Sequence, residues 1–287
     1  MNKIIVVNKE KGYTSRDVVN ILCKKFKTKK IGHTGTLDPL ATGVLVICIG
    51  KSLKIVDSIV SYDKEYIARV ILGVDTDTLD IEGKILHEEK TNITKEELVN
   101  VLNSFLGTSI QEVPKYSAVK VNGKKLYEYA RNNIEVQLPK KEITVYDIKL
   151  LIDIEIVNNR QEFTFKVKVS KGTYIRSLIR DIGKKLNTCA TMSKLTRTKQ
   201  GKFGIEDSYT LKDIENDNYK TLDIKDVLEI EQVIVKDSLL NKIKNGAIVD
   251  KFFTTDKALV LDENSNELGI YITYDKDNTK AKPYKIF

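Results

Sequence analysis

Apolar positions along the chain change their period several times, and each change marks an element. The unbroken run Ile4 to Val7 predicts a short buried strand. Thr14-Ser15-Arg16-Asp17 has the form of a capping box, and Val18, Val19, Leu22, Cys23 and Phe26 follow at helical spacing. That helix runs out into Lys24, Lys25, Lys27, Lys29 and Lys30, a solvated face. Gly32 to Pro39 is too rich in glycine and turn residues to be regular, and Val44 to Ile49 then predicts a second buried strand. Lys64 to Leu72 alternates, with Tyr66, Ala68, Val70 and Leu72 on one face, and Gln161 to Val169 alternates through Phe163, Phe165 and Val167. Thr94 and Glu97 cap a helix whose inner side is Leu98, Val101, Leu102 and Phe105, closed by Gly107. Asn122-Gly123 predicts a tight hairpin turn. Gly172-Thr173 opens a helix carrying Ile175, Leu178, Ile179, Ile182 and Leu186. Short β-like runs return beyond about residue 230, at Ala258 to Leu261 and Leu268 to Tyr274. The fold class is α+β with a small β-rich C-terminal module, and there is no internal repeat.

Composition narrows the class. No apolar run approaches the ~20 residues needed to cross a bilayer, and Met1 to Val7 shows no cleavable signal pattern. Cys23, Cys48 and Cys189 include no close pair, which disfavours a disulfide framework or a zinc site, and His33 and His87 are too few for a His-rich centre. Asp75, Asp77 and Asp80 have Leu79 and no glycine where a calcium loop needs them, so that reading is rejected. The expectation is a reduced, cytoplasmic protein without a metal. The net charge of +8 is uneven: residues 209–287 hold twelve lysines and no arginine against fifteen acids. The basic excess therefore lies in residues 1–208, as expected for a polyanion partner. With 41 lysines and only seven arginines, each arginine is informative, and Arg176, Arg180 and Arg197 lie within 22 residues.

The segment Gly32 to Gly43 carries the strongest chemical signal. It sets one carboxylate, Asp38, in a Gly/Pro-bounded loop directly before a buried strand, either as a held nucleophile or as an Asx-turn residue before Pro39. The whole string GHTGTLDPLATGVL, residues 32–45, resembles the signature loop of the TruB family of tRNA pseudouridine-55 synthases. Further likenesses follow in family order. Asn8 to Ser15 resembles an N-terminal motif containing Lys9, with Glu10 where proline is usual. Asp63-Lys64-Glu65-Tyr66 resembles the motif of the active-site tyrosine. Pro114 to Lys120, then Gly123 to Arg131, resembles the lead into an RNA-clamping insertion. Val169 to Leu178 resembles the motif of the active-site arginine, and Leu195-Thr196-Arg197 a pocket-wall segment. The likeness spans roughly residues 3–210.

The resemblance implies a catalytic domain over residues 1–229, its central mixed or antiparallel sheet flanked by helices, with the insertion around 108–145. A degenerate PUA-like module is implied over 230–287. It implies that Asp38 attacks a flipped uridine at uracil C6 or ribose C1′, that the glycosidic bond breaks, and that C5 rejoins C1′. Every substrate atom is kept, so no cofactor is expected. A carboxylate kept ionised in a closed pocket calls for a fork-shaped cation opposite it, and Arg176 is the candidate. A phosphate contact on a helix surface is its alternative. Tyr66 would lie over the base and take the C5 proton, or position the base, and Leu195 would pack on the other side; a plain core aromatic is the alternative for Tyr66. His33 is placed where the target base leaves the stack, or is a satisfied structural histidine. Lys9, Lys171, Tyr174 and Arg197 complete the expected substrate and RNA contacts.

The expected partner is the T-arm stem-loop of tRNA, held by basic residues at 24–30, 120–125 and 166–202, with no membrane and no obligate protein partner. Two rivals stay open: a non-catalytic tRNA-folding chaperone and a guide-RNA-dependent synthase acting on ribosomal RNA. The acidic tail predicts few phosphate contacts there, so a chain ending near residue 229 is expected to keep most of its RNA affinity.

Overall fold

The computed structural model describes residues 2–287. The first half contributes strands β1 (Lys3–Lys9), β2 (Ile31–His33), β3 (Thr42–Ile49) and β4 (Lys64–Leu72). A ribbon of β5 (Val74–Thr76) and β6 (Ile85–Glu88) follows, then β7 (Gly107–Glu112). A second ribbon, β8 (Lys120–Val121) and β9 (Lys124–Lys125), precedes β10 (Lys140–Val157), β11 (Arg160–Val169), β12 (Ala190–Gln200) and β13 (Phe203–Gly204). Among the described residues the main sheet has nine strands in the order β1-β3-β12-β4-β11-β10-β7, with β2 on β3 and β13 on β12. It is a mixed sheet: β3 and β12 pair in parallel, Thr42 with Thr196 and Gly43 with Arg197, while its other pairings are antiparallel.

Helices α1 (Ser15–Lys25), α2 (Val56–Val60), α3 (Lys95–Asn103), α4 (Leu126–Arg131) and α5 (Ile175–Lys185) complete this part. Thr14 and Asp17 close the expected capping box of α1, and Thr94 and Glu97 that of α3, each worth about 1 kcal/mol. Val18, Val19 and Leu22 of α1, Leu98 and Leu102 of α3, and Ile175, Leu178, Ile179 and Ile182 of α5 share one core with the sheet. The period of two explains the unbroken apolar strands. Ile5, Val7, Leu45 and Ile47 face this helical core, whereas Ile4, Val6, Val44, Val46 and Cys48 face a second one.

That second core is shared with the C-terminal part. Strands β14 (Glu231–Ile234), β15 (Val249–Asp250), β16 (Lys257–Leu261), β17 (Glu267–Tyr274) and β18 (Asp277–Ile286) form a sheet ordered β14-β16-β17-β18-β15. Its Leu259, Leu261 and Ile270 pack with Ile4, Val6, Val44, Val46 and Cys48, all 5% exposed or less. Each such buried aliphatic side chain is worth about 1.5–3 kcal/mol. Truncation near residue 229 strips this face as well as any RNA contacts, so the charge argument for a functional truncated chain omits its main cost.

Several elements differ from the sequence reading. Ile31–His33 is a strand paired with Ile49, Cys48 and Ile47, so the irregular loop begins only at Thr34. Gly107 opens strand β7 rather than closing α3, and α5 starts at Ile175 with Tyr174 as its N-cap. Both ends of the 108–145 segment belong to the main sheet, through β7 paired with β10. The part standing apart is the β8–β9 hairpin, turned at Asn122-Gly123 with both φ positive, together with α4.

Candidate active site

One row of the sheet gathers much of the site. Lys9 on β1 faces Gly43 on β3, Gly43 faces Arg197 on β12, Arg197 faces Tyr66 on β4, and Tyr66 faces Val167 on β11. Gly43 has φ +98°, and a Cβ there would lie 2.3 Å from the Arg197 carbonyl oxygen, so glycine lets the parallel pair close.

The loop carrying Asp38 leaves this row at Thr42 and is held by its neighbours. Leu37 and Leu40, 4% and 3% exposed, anchor it on either side of the carboxylate. Leu37 N donates to Ser15 Oγ at 2.8 Å, and Ser15 Oγ donates back to the Leu37 carbonyl at 3.2 Å. Gly12 N donates to the Pro39 carbonyl at 2.9 Å, and Ala41 N to that of Asp38 at 3.0 Å. Arg197 lies beneath, 1% exposed, donating from Nε to the Val44 carbonyl and from Nη2 to that of Gly35. The loop is braced without using the Asp38 carboxylate, which remains available.

That carboxylate meets Arg176 on the first turn of α5, with Oδ2 3.0 Å from Nη2. Arg176 is 7% exposed, and its guanidinium is held from three further sides. It donates from Nη1 to the Thr78 carbonyl at 2.9 Å and from Nη2 to the Tyr116 carbonyl at 3.0 Å, and Asp80 Oδ2 lies 3.8 Å from Nη1. Asp80 is itself fixed, accepting from Thr78 Oγ1 and Glu82 N. A buried fork between two carboxylates and two carbonyls satisfies the requirement that a buried charge be paired and hydrogen-bonded.

Asp38 and Arg176 line a cavity of about 480 Å³ with Tyr66, Tyr116, Tyr174 and Leu195. The Gln111 amide clamps the Tyr174 backbone, accepting from its N and donating to its carbonyl, and burial pushes the Tyr174 phenol above its ordinary value. Arg197 also reaches this wall. Lys171 is exposed at the rim, between the lining residues Ser170 and Gly172. Lys64, in the same wall, is buried, and burial pushes its ammonium down to about 8. Ser117 Oγ is buried in the wall beside the Tyr174 phenol. Lys64 also borders a second cleft of about 630 Å³ lined by Lys168, Lys199 and Lys202.

Two expected contacts lie off the cavity wall. Lys9 is 0% exposed, and its ammonium donates to the carbonyls of Glu10, Tyr13 and Pro39 at 3.0, 2.6 and 3.5 Å. Burial pushes it down to about 8, although Asp38 pulls the other way. It tethers the loop from below. Lys9→Met is accordingly expected to cost roughly 1–3 kcal/mol of stability in denaturant unfolding, from the carbonyls left bare. His33 is half-buried at the end of β2, where Nδ1 accepts from Gly35 N, and burial with Arg16 and Arg197 nearby holds its imidazole below its ordinary value.

Sequence reasoning missed Asp80, Thr78, Tyr116 and Lys64 as parts of the site. Asp80 carries a visible signal, an acid in a turn-rich stretch, but that pattern by itself points only to a cation ligand. The carbonyls of Thr78 and Tyr116 leave no signal in side-chain identity.

Comparison with known proteins gives the family of the chain. A family model described as TruB family pseudouridylate synthase (N terminal domain) matches residues 23–175, and one described as tRNA pseudouridylate synthase B C-terminal domain matches residues 176–235. The protein named tRNA pseudouridine synthase B in Clostridium tetani is 46% identical over 93% of this chain and 97% of its own. Its namesake in Bacillus subtilis is 39% identical over 100% and 97%. A solved Cbf5-Nop10-Gar1 complex superposes on 99% of this chain and 84% of the matched one, with a TM-score of 0.71 at 25% identity. By its matched length and its identity to these relatives, the chain belongs to the TruB family of pseudouridylate synthases.

Proposed function

We propose that this protein isomerises a uridine of tRNA to pseudouridine at position 55 of the T-loop, acting in the cytoplasm without a cofactor. The observation that carries the reading is the Asp38–Arg176 ion pair on the wall of a cavity shared with Tyr66 and Leu195, in a chain of this family. The target base leaves its stack and enters the cavity. Asp38 adds to uracil C6 or ribose C1′, the glycosidic bond breaks, the uracil turns, and C5 bonds to C1′; the bond to Asp38 is broken again, and N1 gains a proton as C5 loses one. Tyr66 takes the C5 proton or positions the base for that transfer, and Leu195 packs against the ring. Arg176 pairs with the Asp38 carboxylate and keeps it aimed.

Lysines of the neighbouring cleft, with Lys171 at the rim, track the phosphates of the folded T-arm. Residues 1–229 are the catalytic unit, and 230–287 a degenerate PUA-like module whose nine lysines are matched by nine acids, which leaves it few phosphate contacts.

The test is incubation of the full chain with an unmodified tRNA transcript, without guide RNA or a second protein, followed by mapping of pseudouridine. One modified T-loop uridine is expected. Product formed only when a guide RNA is supplied would replace this reading with the guide-dependent one.

Turnover is also expected to survive exhaustive EDTA treatment with the tRNA fold kept intact. The isomerisation transfers no electrons, and the two carboxylates of the site face a guanidinium that fills the place a cation would take. Activity lost to EDTA and restored by one divalent ion alone would refute this.

A further inference from the structure

Away from the cavity, the chain is knotted where β4 ends. Gly73 N donates to the Cys189 carbonyl and Glu89 N to the Gly73 carbonyl, both at 2.8 Å. Gly73 has φ +76°, and a Cβ there would lie 2.3 Å from the Glu89 carbonyl oxygen, so glycine permits the knot. These bonds fix the backbones of Glu89 and Cys189 on either side of residue 73. The β5–β6 pairing then sets His87 opposite Asp75, two residues from Glu89.

The side chains converge on one point. His87 Nε2 is 3.6 Å from Glu89 Oε2, and the ligand atoms of His87, Glu89 and Cys189 all lie within 4.8 Å of one another. The carboxylate does not swing freely. Its Oε1 accepts from Thr188 Oγ1 at 2.6 Å and from Cys189 N at 3.2 Å, leaving Oε2 for His87. An ordinary surface ion pair needs neither that anchoring nor a thiol beside it. Anchoring of a ligand by an outer hydrogen-bond donor is the usual build of a metal site.

We propose that His87, Glu89 and Cys189 bind a divalent transition-metal ion of the zinc class, with the fourth position open to water or to Asp75. One nitrogen, one oxygen and one sulfur suit a borderline ion of tetrahedral preference better than magnesium or calcium. Bonds of about 2.0–2.3 Å require the three atoms to draw together, which the exposed His87 and the half-buried Cys189 achieve by rotation toward the anchored Glu89 carboxylate. The ion sits at the foot of the β5–β6 ribbon. The loop between those strands is tied to β12 by Ile81 N to the Met192 carbonyl and Met192 N to the Leu79 carbonyl. That loop carries Thr78 and Asp80, which grip Arg176. The ion thus adds a staple at the foot of a ribbon whose loop these backbone bonds already hold, and turnover does not depend on it.

The experiment titrates the reduced full chain with Co²⁺ as a spectroscopic stand-in and then with Zn²⁺. One equivalent of Co²⁺ should give a thiolate-to-metal band in the near ultraviolet, which Zn²⁺ abolishes. Cys189→Ser should lose the band and Cys23→Ser should keep it. His87→Ala, on an exposed strand, should weaken binding sharply, and Thr188→Val should weaken it on the order of 10–100-fold. Zn²⁺ should raise the melting temperature of the unsubstituted chain and leave that of Cys189→Ser unchanged. No thiolate band in the unsubstituted chain, or the same band after Cys189→Ser, overturns the proposal.

Discussion

Asp38→Asn protein is expected to form no pseudouridine, a loss of at least about 10⁴-fold of the kind seen when a nucleophile is removed. The amide keeps the shape of the side chain and removes the oxygen proposed to attack. Folding should hold, because the loop is fixed by Leu37, Leu40 and the Ser15–Leu37 bonds, none of which uses the carboxylate. Arg176 keeps Asp80 and the carbonyls of Thr78 and Tyr116, so its position should survive the loss of one partner. On the proposed reading tRNA is bound through lysine–phosphate contacts elsewhere, so its binding should change by less than about tenfold, or 1.4 kcal/mol. Single-turnover assays paired with filter binding separate the two effects. Measurable turnover by pure protein would remove Asp38 from the role of nucleophile. The paired measurement also bears on the chaperone rival, which predicts that a binding-competent Asp38→Asn chain loses nothing.

The sequence was legible where one period governed a whole element. Lys64–Leu72 alternates and is a strand over the same residues, and the capping boxes at Thr14 and Thr94 begin helices where expected. It was illegible where periods break. The eighteen-residue β10 was missed because register shifts after Val145, Leu150 and Ile152 scramble its alternation, leaving Leu151, Ile152 and Ile156 exposed. The site divides in the same way. Asp38, Tyr66, Arg176 and Leu195 stand in motifs and meet in one cavity. Lys9 stands in a motif too, yet the motif reports a tether rather than a contact, since a string of letters does not distinguish a side chain that touches substrate from one that holds the loop beneath it. The shared core under the C-terminal sheet was hidden for another reason. Charge counting sees the surface of a module, whereas Leu259, Leu261 and Ile270 act through an apolar face.

Arg176→Lys is the sharper test of the geometry, because it conserves charge and changes only shape. The guanidinium satisfies two neighbours through Nη2, Asp38 and the Tyr116 carbonyl, and two through Nη1, Asp80 and the Thr78 carbonyl. A lysine ammonium is one nitrogen with three protons at the end of a flexible stem, and it cannot occupy both positions. If it sits near Asp80, Asp38 loses its partner. If it sits near Asp38, the carboxylate of Asp80, 7% exposed, is left without one. The first placement frees the Asp38 carboxylate to turn, and the second pairs it with a flexible ammonium no longer held by Asp80 and the Thr78 carbonyl; a shift of an ångström or so costs on the order of 10²-fold in rate. The loss should fall on kcat, with KM for tRNA little altered, because Arg176 is a buried part of the cavity wall and not on the lysine-lined surface. Asp80→Asn should move the same parameter in the same direction by a smaller factor, since Arg176 then keeps its contact with Asp38. Near-normal kcat for Arg176→Lys, or a loss confined to KM and steep in salt, would make Arg176 a phosphate contact and leave the ion pair without a catalytic role.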